Sequence, residues 1–231
     1  MLPKEIIYEI YYYLGNTDKR RLRQTSTRYN IKFKEKTILE ERIEDGYDIP
    51  EKYRELFVLD KVAFGRLDMI KKMKPIKDLC CMAAEYGQLN ILTWAHEQKY
   101  GWIEQTCQYA AAGYLECLKY LHENGCPWDK WACTYAAAGY LECLKYLHEN
   151  GCPWDEWTCE NAARGHLVCL KYAHENGCPW DKNTCIAAAR GHLECLKYAH
   201  ENGCPWNGCA YAYAQHHSEC LAYLQEHGCP R

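Results

Sequence analysis

Phenylalanine is almost missing from this sequence, with three residues in 231, so any core must be assembled from other apolar groups. No run approaches the roughly 18 apolar residues that a membrane-spanning helix needs, which argues against a membrane role. Neither sign of charge is in excess: 28 Lys and Arg stand against 31 Asp and Glu, a formal net charge of -3. There is no broad positive field to hold a polyphosphate backbone, so nucleic acid is not the expected partner. The opening Met1-Leu2-Pro3-Lys4-Glu5 lacks an apolar signal core. The chain is therefore expected in the cytoplasm, with the nucleus as the alternative, and its 17 cysteines are expected to be reduced thiols. That number is odd, so complete pairing within one chain would leave a thiol over. No Cys-x-x-Cys spacing occurs, and the usual signature of a structural zinc site is absent.

What the sequence does contain is a period. Gly125-Cys126-Pro127-Trp128 returns as Gly151-Cys152-Pro153-Trp154, Gly177-Cys178-Pro179-Trp180 and Gly203-Cys204-Pro205-Trp206, at intervals of 26 residues. Self-similarity at such a period is the signature of a solenoid, in which each unit buries its apolar face only against its neighbours. Four close copies cover residues 104 to 207. Tyr86-Gly87-Gln88-Leu89 keeps the register in a weaker copy before them, and Ala63-Phe64-Gly65-Arg66-Leu67 looks like a degenerate first one. The last unit ends Gly228-Cys229-Pro230 and places His216-His217-Ser218 where Gly-His-Leu is usual, as expected of a terminal repeat that faces water.

Each unit reads as two short antiparallel helices. Leu141, Leu144 and Leu147, with Cys143 beside them, form one apolar stripe at helical spacing. Asn150-Gly151 supplies a left-handed stop, Pro153 forbids continuation, and Asp155 is placed to cap the next helix. In the first helix, Cys133, Ala136 and Ala137 are small enough for close backbone approach, and Gly139 turns the chain into the second helix. The fold class expected is all-α.

The run Gly165-His166-Leu167-x-Cys169-Leu170-Lys171-Tyr172-x-x-Glu175-Asn176-Gly177, with Ala162-Ala163 before it, resembles the ankyrin repeat. The resemblance covers about two thirds of the chain and implies an ankyrin-like helical-repeat solenoid that binds protein. The sequence departs from the family in two ways: its units are shorter than about 33 residues, and the Thr-Pro-Leu-His tetrapeptide is missing. Shortened hairpin fingers would move contacts onto the first helices and the loops between repeats. Short Cys-Pro-Trp units of this kind also resemble those of giant DNA viruses of protists.

Residues 1–40 do not share the repeat. Ile6, Ile10 and Leu14 align on one helical face with Ile7 beside them, and Pro3 sits near the first helical position. Leu-Pro-x-Glu-Ile-Ile, a later leucine and Ser26-Thr27-Arg28-Tyr29 resemble an F-box. That resemblance implies docking on the Skp-type adaptor of a cullin ubiquitin ligase through Leu2, Pro3, Ile6, Ile7, Ile10, Leu14 and Leu22. The competing reading is a helical cap on the end of the stack. The expected division is an F-box-like segment at 1–40, a charged connector and degenerate first repeat at 41–77, and ankyrin-like repeats at 78–231. Between about residues 31 and 60, Glu35, Glu40, Glu41 and Glu44 interleave with Lys and Arg, which reads as a solvated helix and connector.

The sharper chemical readings fare worse. His122, His148, His174 and His200 each precede a Cys by four residues, but equivalent positions in neighbouring repeats lie about 8 to 10 Å apart. Columns of like residues at that distance cannot converge on one ion or form disulfides, so neither metal nor cofactor is expected. Most thiols read as small apolar packing groups. Catalysis needs one singular constellation, whereas every Cys–His relation here is copied, so no catalytic residue is assigned. Trp128, Trp154, Trp180 and Trp206 also recur and read as lids over the inter-repeat core.

Positions that change between otherwise similar units are the informative ones. Gln108, Thr134, Glu160 and Ile186 share one site; Tyr109, Tyr135, Asn161 and Ala187 the next; Ala112, Ala138, Arg164 and Arg190 a third. With Trp131, Trp157 and Asn183 at the helix starts, these sketch a target-binding strip free of stacking duties, rich in the residue types found at hot spots. Neutral drift of an exposed surface is the competing reading. The expectation is a monomeric receptor that holds an unidentified target protein and presents it to a ubiquitin ligase, or else an interaction scaffold without a ligase role. A metal-binding or redox protein stands as a third class, because thiols are unusually dense.

Overall fold

The computed structural model describes residue 40, residues 43 and 44, and residues 51–231, the side chains of the last stretch from residue 57. Among the described residues there is no strand, and the chain runs as a series of helix pairs. In chain order these are α1 (Glu51–Ala63) with α2 (Leu67–Ile70), α3 (Leu79–Glu85) with α4 (Leu89–Glu97), and α5 (Glu104–Ala111) with α6 (Leu115–Glu123). Then come α7 (Lys130–Ala136) with α8 (Leu141–Glu149), α9 (Glu156–Ala162) with α10 (Leu167–Glu175), and α11 (Lys182–Ala188) with α12 (Leu193–Glu201). The last pair is α13 (Gly208–Tyr213), continued by a 3-10 turn at Ala214–His216, with α14 (Ser218–Glu226). Among the described residues no helix is long and apolar enough to cross a membrane.

The hexapeptide Asn150-Gly151-Cys152-Pro153-Trp154-Asp155 ends one pair and starts the next. The Asn150 side chain donates to the Tyr146 carbonyl at 2.7 Å. Gly151 takes φ +77, a left-handed conformation that costs glycine little. Its N–H then reaches the His148 carbonyl at 3.0 Å, and the Cys152 N–H reaches that of Leu147 at 2.9 Å. These two bonds are the Schellman closure of a helix C-terminus. Pro153 prevents further helix, and the Asp155 carboxylate accepts from the Trp157 N–H at 3.2 Å, capping α9. Every residue of the repeated motif except Trp154, whose ring stacks on His148, thus has a backbone duty.

Packing follows from side-chain size. First helices contribute Cys133, Ala136 and Ala137 or their equivalents to the interior, all fully buried, and they pack closely side by side. Second helices bury Cys143, Leu144 and Leu147, but touch each other only lightly. The stack therefore curves with the first helices on the inside. Leu141, expected within the apolar stripe, is only partly buried, because it opens its helix next to the turn. Each fully buried leucine contributes roughly 1.5–3 kcal/mol of apolar transfer free energy. One continuous cluster runs from Val58 to Cys229.

Fifteen of the cysteines are buried, Cys81 is partly buried, and Cys209 is exposed; all are free thiols. They act as small packing groups with weak donors: Cys152 Sγ lies 3.2 Å from the carbonyl of Asp129, the cap at the start of the same helix pair, and Cys204 Sγ 3.2 Å from that of Asp181. Burial pushes the Cys117 thiol up to about 12, and the Cys152 thiol together with burial raises Cys133. Such groups carry no thiolate at neutral pH and are poor nucleophiles.

At the N-terminal end a small separate cluster joins Ile43, Phe57 and Met69. The buried Lys61 ammonium pairs with Glu40 and lies 3.0 Å from Asp60 and 4.6 Å from the Phe57 ring centre. A charge 1% exposed is tolerable only with such partners.

Candidate protein-binding surface

Two faces of the stack are open to solvent, and they differ in chemistry. The outer face, made by the second helices, carries charge pairs one turn apart: Lys119–Glu116, Lys145–Glu142 and Lys197–Glu194, each at 3.0 Å. Such exposed pairs neutralise themselves and contribute little to stability. The inner face carries apolar groups. Tyr109, Trp131, Tyr135 and Trp157 are 36–44% exposed, and Ile103 and Tyr213 are more open still. Among the described residues only Phe64, Leu89 and Val168 are large apolar groups of similar exposure elsewhere.

Helical spacing explains this concentration. Trp131, Tyr135 and Ala138 lie at i, i+4 and i+7 and so share a face, as do Trp157, Asn161 and Arg164 and, in the next unit, Asn183, Ala187 and Arg190. Neighbouring units place Trp131 and Trp157 side by side, ring centres 6.3 Å apart and tilted by 39°. The Lys130 ammonium lies 5.7 Å from the Trp131 ring centre and 2.7 Å from the Asp155 carboxylate. Arg190 sets its guanidinium 4.3 Å from the Tyr213 ring centre.

Not every residue expected in the strip is free for recognition. Gln108 donates to the Asp129 carboxylate of the next unit at 3.0 Å, and Asn161 donates to the Thr134 carbonyl of the previous unit at 2.7 Å. Both therefore help hold repeats together, contrary to the expectation that variable positions have no stacking duty. Ala187 is 4% exposed and Ile186 packs partly against the core. Thr134 turns its hydroxyl back to the Lys130 carbonyl at 3.2 Å, and Asn183 bonds the capping Asp181. Glu160 is largely covered and pairs with Arg164 at 2.9 Å. Exposed to solvent on the strip are Tyr109, Trp131, Tyr135, Trp157, Arg164 and Arg190. Leu2, Pro3, Ile6, Ile7, Ile10, Leu14 and Leu22 lie outside the described residues.

Sequence reasoning missed two features. Tyr213 belongs to the strip: it stands 26 residues after Ala187, in the column of Tyr109 and Tyr135, and the period itself could have found it. The second is an aromatic ladder. His122 stacks on Trp128 at 4.0 Å and its Nδ1 meets the Tyr146 hydroxyl of the next unit at 2.9 Å. Trp128 in turn stands edge-on to Tyr146 at 6.4 Å. The same triad recurs as His174, Trp180 and Tyr198 and as His200, Trp206 and Tyr223. The histidines that invited a metal reading are thus engaged with rings; among the described residues no group of three or more His, Cys, Asp or Glu could hold a metal ion.

No family model matches the sequence, and no curated protein matches it. Among solved structures, the human ASB11 ankyrin repeat domain is similar with a TM-score of 0.55, at 20% identity over 66% of this chain and 84% of that one. The pentatricopeptide repeat protein PPR10, in complex with an 18-nt psaJ RNA element, aligns over 100% of this chain and 47% of that one at 13% identity. Its TM-score is 0.37, below the level at which two chains share a path. The helix pairs, their closures and the ASB11 likeness together give this chain the fold of an ankyrin-type helical-repeat solenoid, built on a shorter unit of 26 residues.

Proposed function

We propose that this chain is a protein-binding module that grips a target on the inner face of the stack, with Trp131, Tyr135 and Trp157 as anchors. One observation carries the reading: large exposed apolar groups gather on the first helices while the second helices present self-neutralised charge. Rigid aromatics seated on a regular scaffold lose little conformational entropy on binding and exclude water from the groups around them. Ankyrin-type stacks are in general non-enzymatic scaffolds, and the buried, protonated thiols fit packing better than catalysis.

The finer reading is a substrate receptor for a ubiquitin ligase. Its support is the F-box-like pattern from Leu2 to Leu22, and its mechanism is proximity: an adaptor held at one end and a target on the stack raise each other's effective concentration. A second reading, a scaffold whose N-terminal helices only cap the stack, draws support from the Ile43–Phe57–Met69 cluster, which ties the connector to the first helix pair. Co-purification of the full chain with a Skp-type adaptor decides between them. The receptor reading expects capture that is lost in Ile6→Asp/Ile10→Asp and retained in Trp131→Ala/Trp157→Ala; absence of capture by the unaltered chain leaves the scaffold.

A further inference from the structure

The inner face changes character along the stack. In its first part, from α5 to α9, it is aromatic: Tyr109, Trp131, Tyr135 and Trp157. Beyond Trp157 it becomes cationic. Arg164 and Arg190 occupy one column at the ends of successive first helices, where the two units before them have Ala112 and Ala138. In the last unit, where His216-His217-Ser218 stands for Gly-His-Leu, the corresponding place is held by the neutral Gln215.

Carboxylates are missing from this second part. No Asp or Glu occurs from Lys182 to His192, or from Gly208 to His217. Two acids stand at its border. Asp181 is engaged at the start of α11, where it accepts from the Asn183 backbone N–H at 2.8 Å and its side chain at 3.1 Å. Glu160 bonds one nitrogen of Arg164 at 2.9 Å. At the place four residues before Arg190, corresponding to Glu160, stands Ile186. Arg190 therefore has no carboxylate on its own helix and rests against Tyr213. A guanidinium has five N–H donors, so even Arg164 keeps donors free.

We propose that the occupant of the inner face is an extended acidic segment of the target protein, its apolar side chains on Trp131, Tyr135 and Trp157 and its carboxylates on Arg164 and Arg190. The argument is charge complementarity between an arginine-bearing, carboxylate-poor surface and an anionic chain. Arginine in this setting binds carboxylate in a bidentate manner and fixes orientation as well as affinity. The polarity of the face sets the order of the segment: apolar residues toward α7, acidic residues toward α11. This inference rests on the inner face being the binding surface, as argued above.

Selection of a random displayed peptide library on the full chain tests it. The expected winners combine an aromatic or aliphatic residue with several Asp or Glu and are depleted of Lys and Arg. Their affinity falls roughly tenfold or more in Arg164→Glu/Arg190→Glu, in keeping with loss of interfacial charge pairs, and falls as salt is raised. It also falls roughly tenfold or more in Trp131→Ala/Trp157→Ala, the scale of lost hot-spot anchors. All these side chains are exposed, so unchanged thermal midpoints will show that both variants fold. Winners that need the tryptophans but show no acidic preference, or prefer basic residues, overturn the charge inference and leave the binding surface standing. Winners indifferent to the tryptophans, or no winners at all, overturn both.

Discussion

The second helices are near copies of one another, reading LECLKYLHE, LECLKYLHE, LVCLKYAHE and LECLKYAHE from α6 to α12, whereas the first helices share only a cysteine and small residues behind it. The contrast separates two duties. Groups that recur bury the stripe, close the helix ends and build the aromatic ladder. Groups that change occupy a face whose backbone is already fixed by its neighbours. A solenoid permits this division because each unit contacts only the next, so the stacking rules must repeat while the open face is free to differ.

The sharpest way to break the contrast is to damage what recurs. Leu144→Ala removes a fully buried side chain from the recurring stripe and is expected to cost about 2–5 kcal/mol. Urea unfolding measures it, and a loss below about 1 kcal/mol would mean that the stripe is not a packed core. Gly139→Ala comes next. Gly139 has φ +104, and an added Cβ would lie 2.8 Å from Nδ1 of His166 in the following unit. A cost of about 1–3 kcal/mol is expected from the backbone alone.

Asp155→Ala removes a helix cap with an expected loss of about 1 kcal/mol, while Asp155→Asn restores most of it. A smaller and graded effect separates the two ends of the stack. Tyr114 and Tyr140 stand in the earlier units where His166 and His192 stand in the later ones. Burial holds both imidazoles below their usual pKa, with the next histidine of the column adding to it. Above the unfolded value of about 6.5 both states keep the ring neutral and the full stability is present. As pH falls below that value the unfolded chain binds more protons than the folded one, so stability declines. Unfolding midpoints measured at falling pH should drop for the unaltered chain and drop less for His166→Tyr/His192→Tyr. The smallest effect on stability is expected at the face that varies: Trp131→Ala should change it by no more than about 0.5 kcal/mol, as for an ordinary surface position.

Much of this was legible in the sequence, for particular reasons. The 26-residue period displayed the helix pairs, because identical stops at Gly151 and Gly177 and identical caps at Asp155 and Asp181 encode backbone geometry locally. The strip was only half legible. Exposure of Trp131, Tyr135 and Trp157 follows from helical spacing, but variation alone does not show which varied groups reach into the next unit. Gln108 and Asn161 vary and yet bond across the repeat boundary, a relation between residues 21 and 27 positions apart that no local pattern contains. The His–Trp–Tyr ladder was hidden for the same reason. His122 meets Tyr146 only once two units are stacked, and a sequence neighbour such as Cys126 drew attention instead.

The central claim is that the recurring buried groups hold the stack and the exposed varying groups of the inner face do the binding, and it is tested most directly by measuring both properties on the same two variants. With a peptide selected on the unaltered chain as probe, Trp131→Ala/Trp157→Ala should weaken binding roughly tenfold or more while leaving the urea midpoint in place. Glu142→Ala/Glu194→Ala on the outer face should leave both unchanged. Binding undiminished by loss of the two tryptophans, or that disappears with the outer-face carboxylates, would contradict the account.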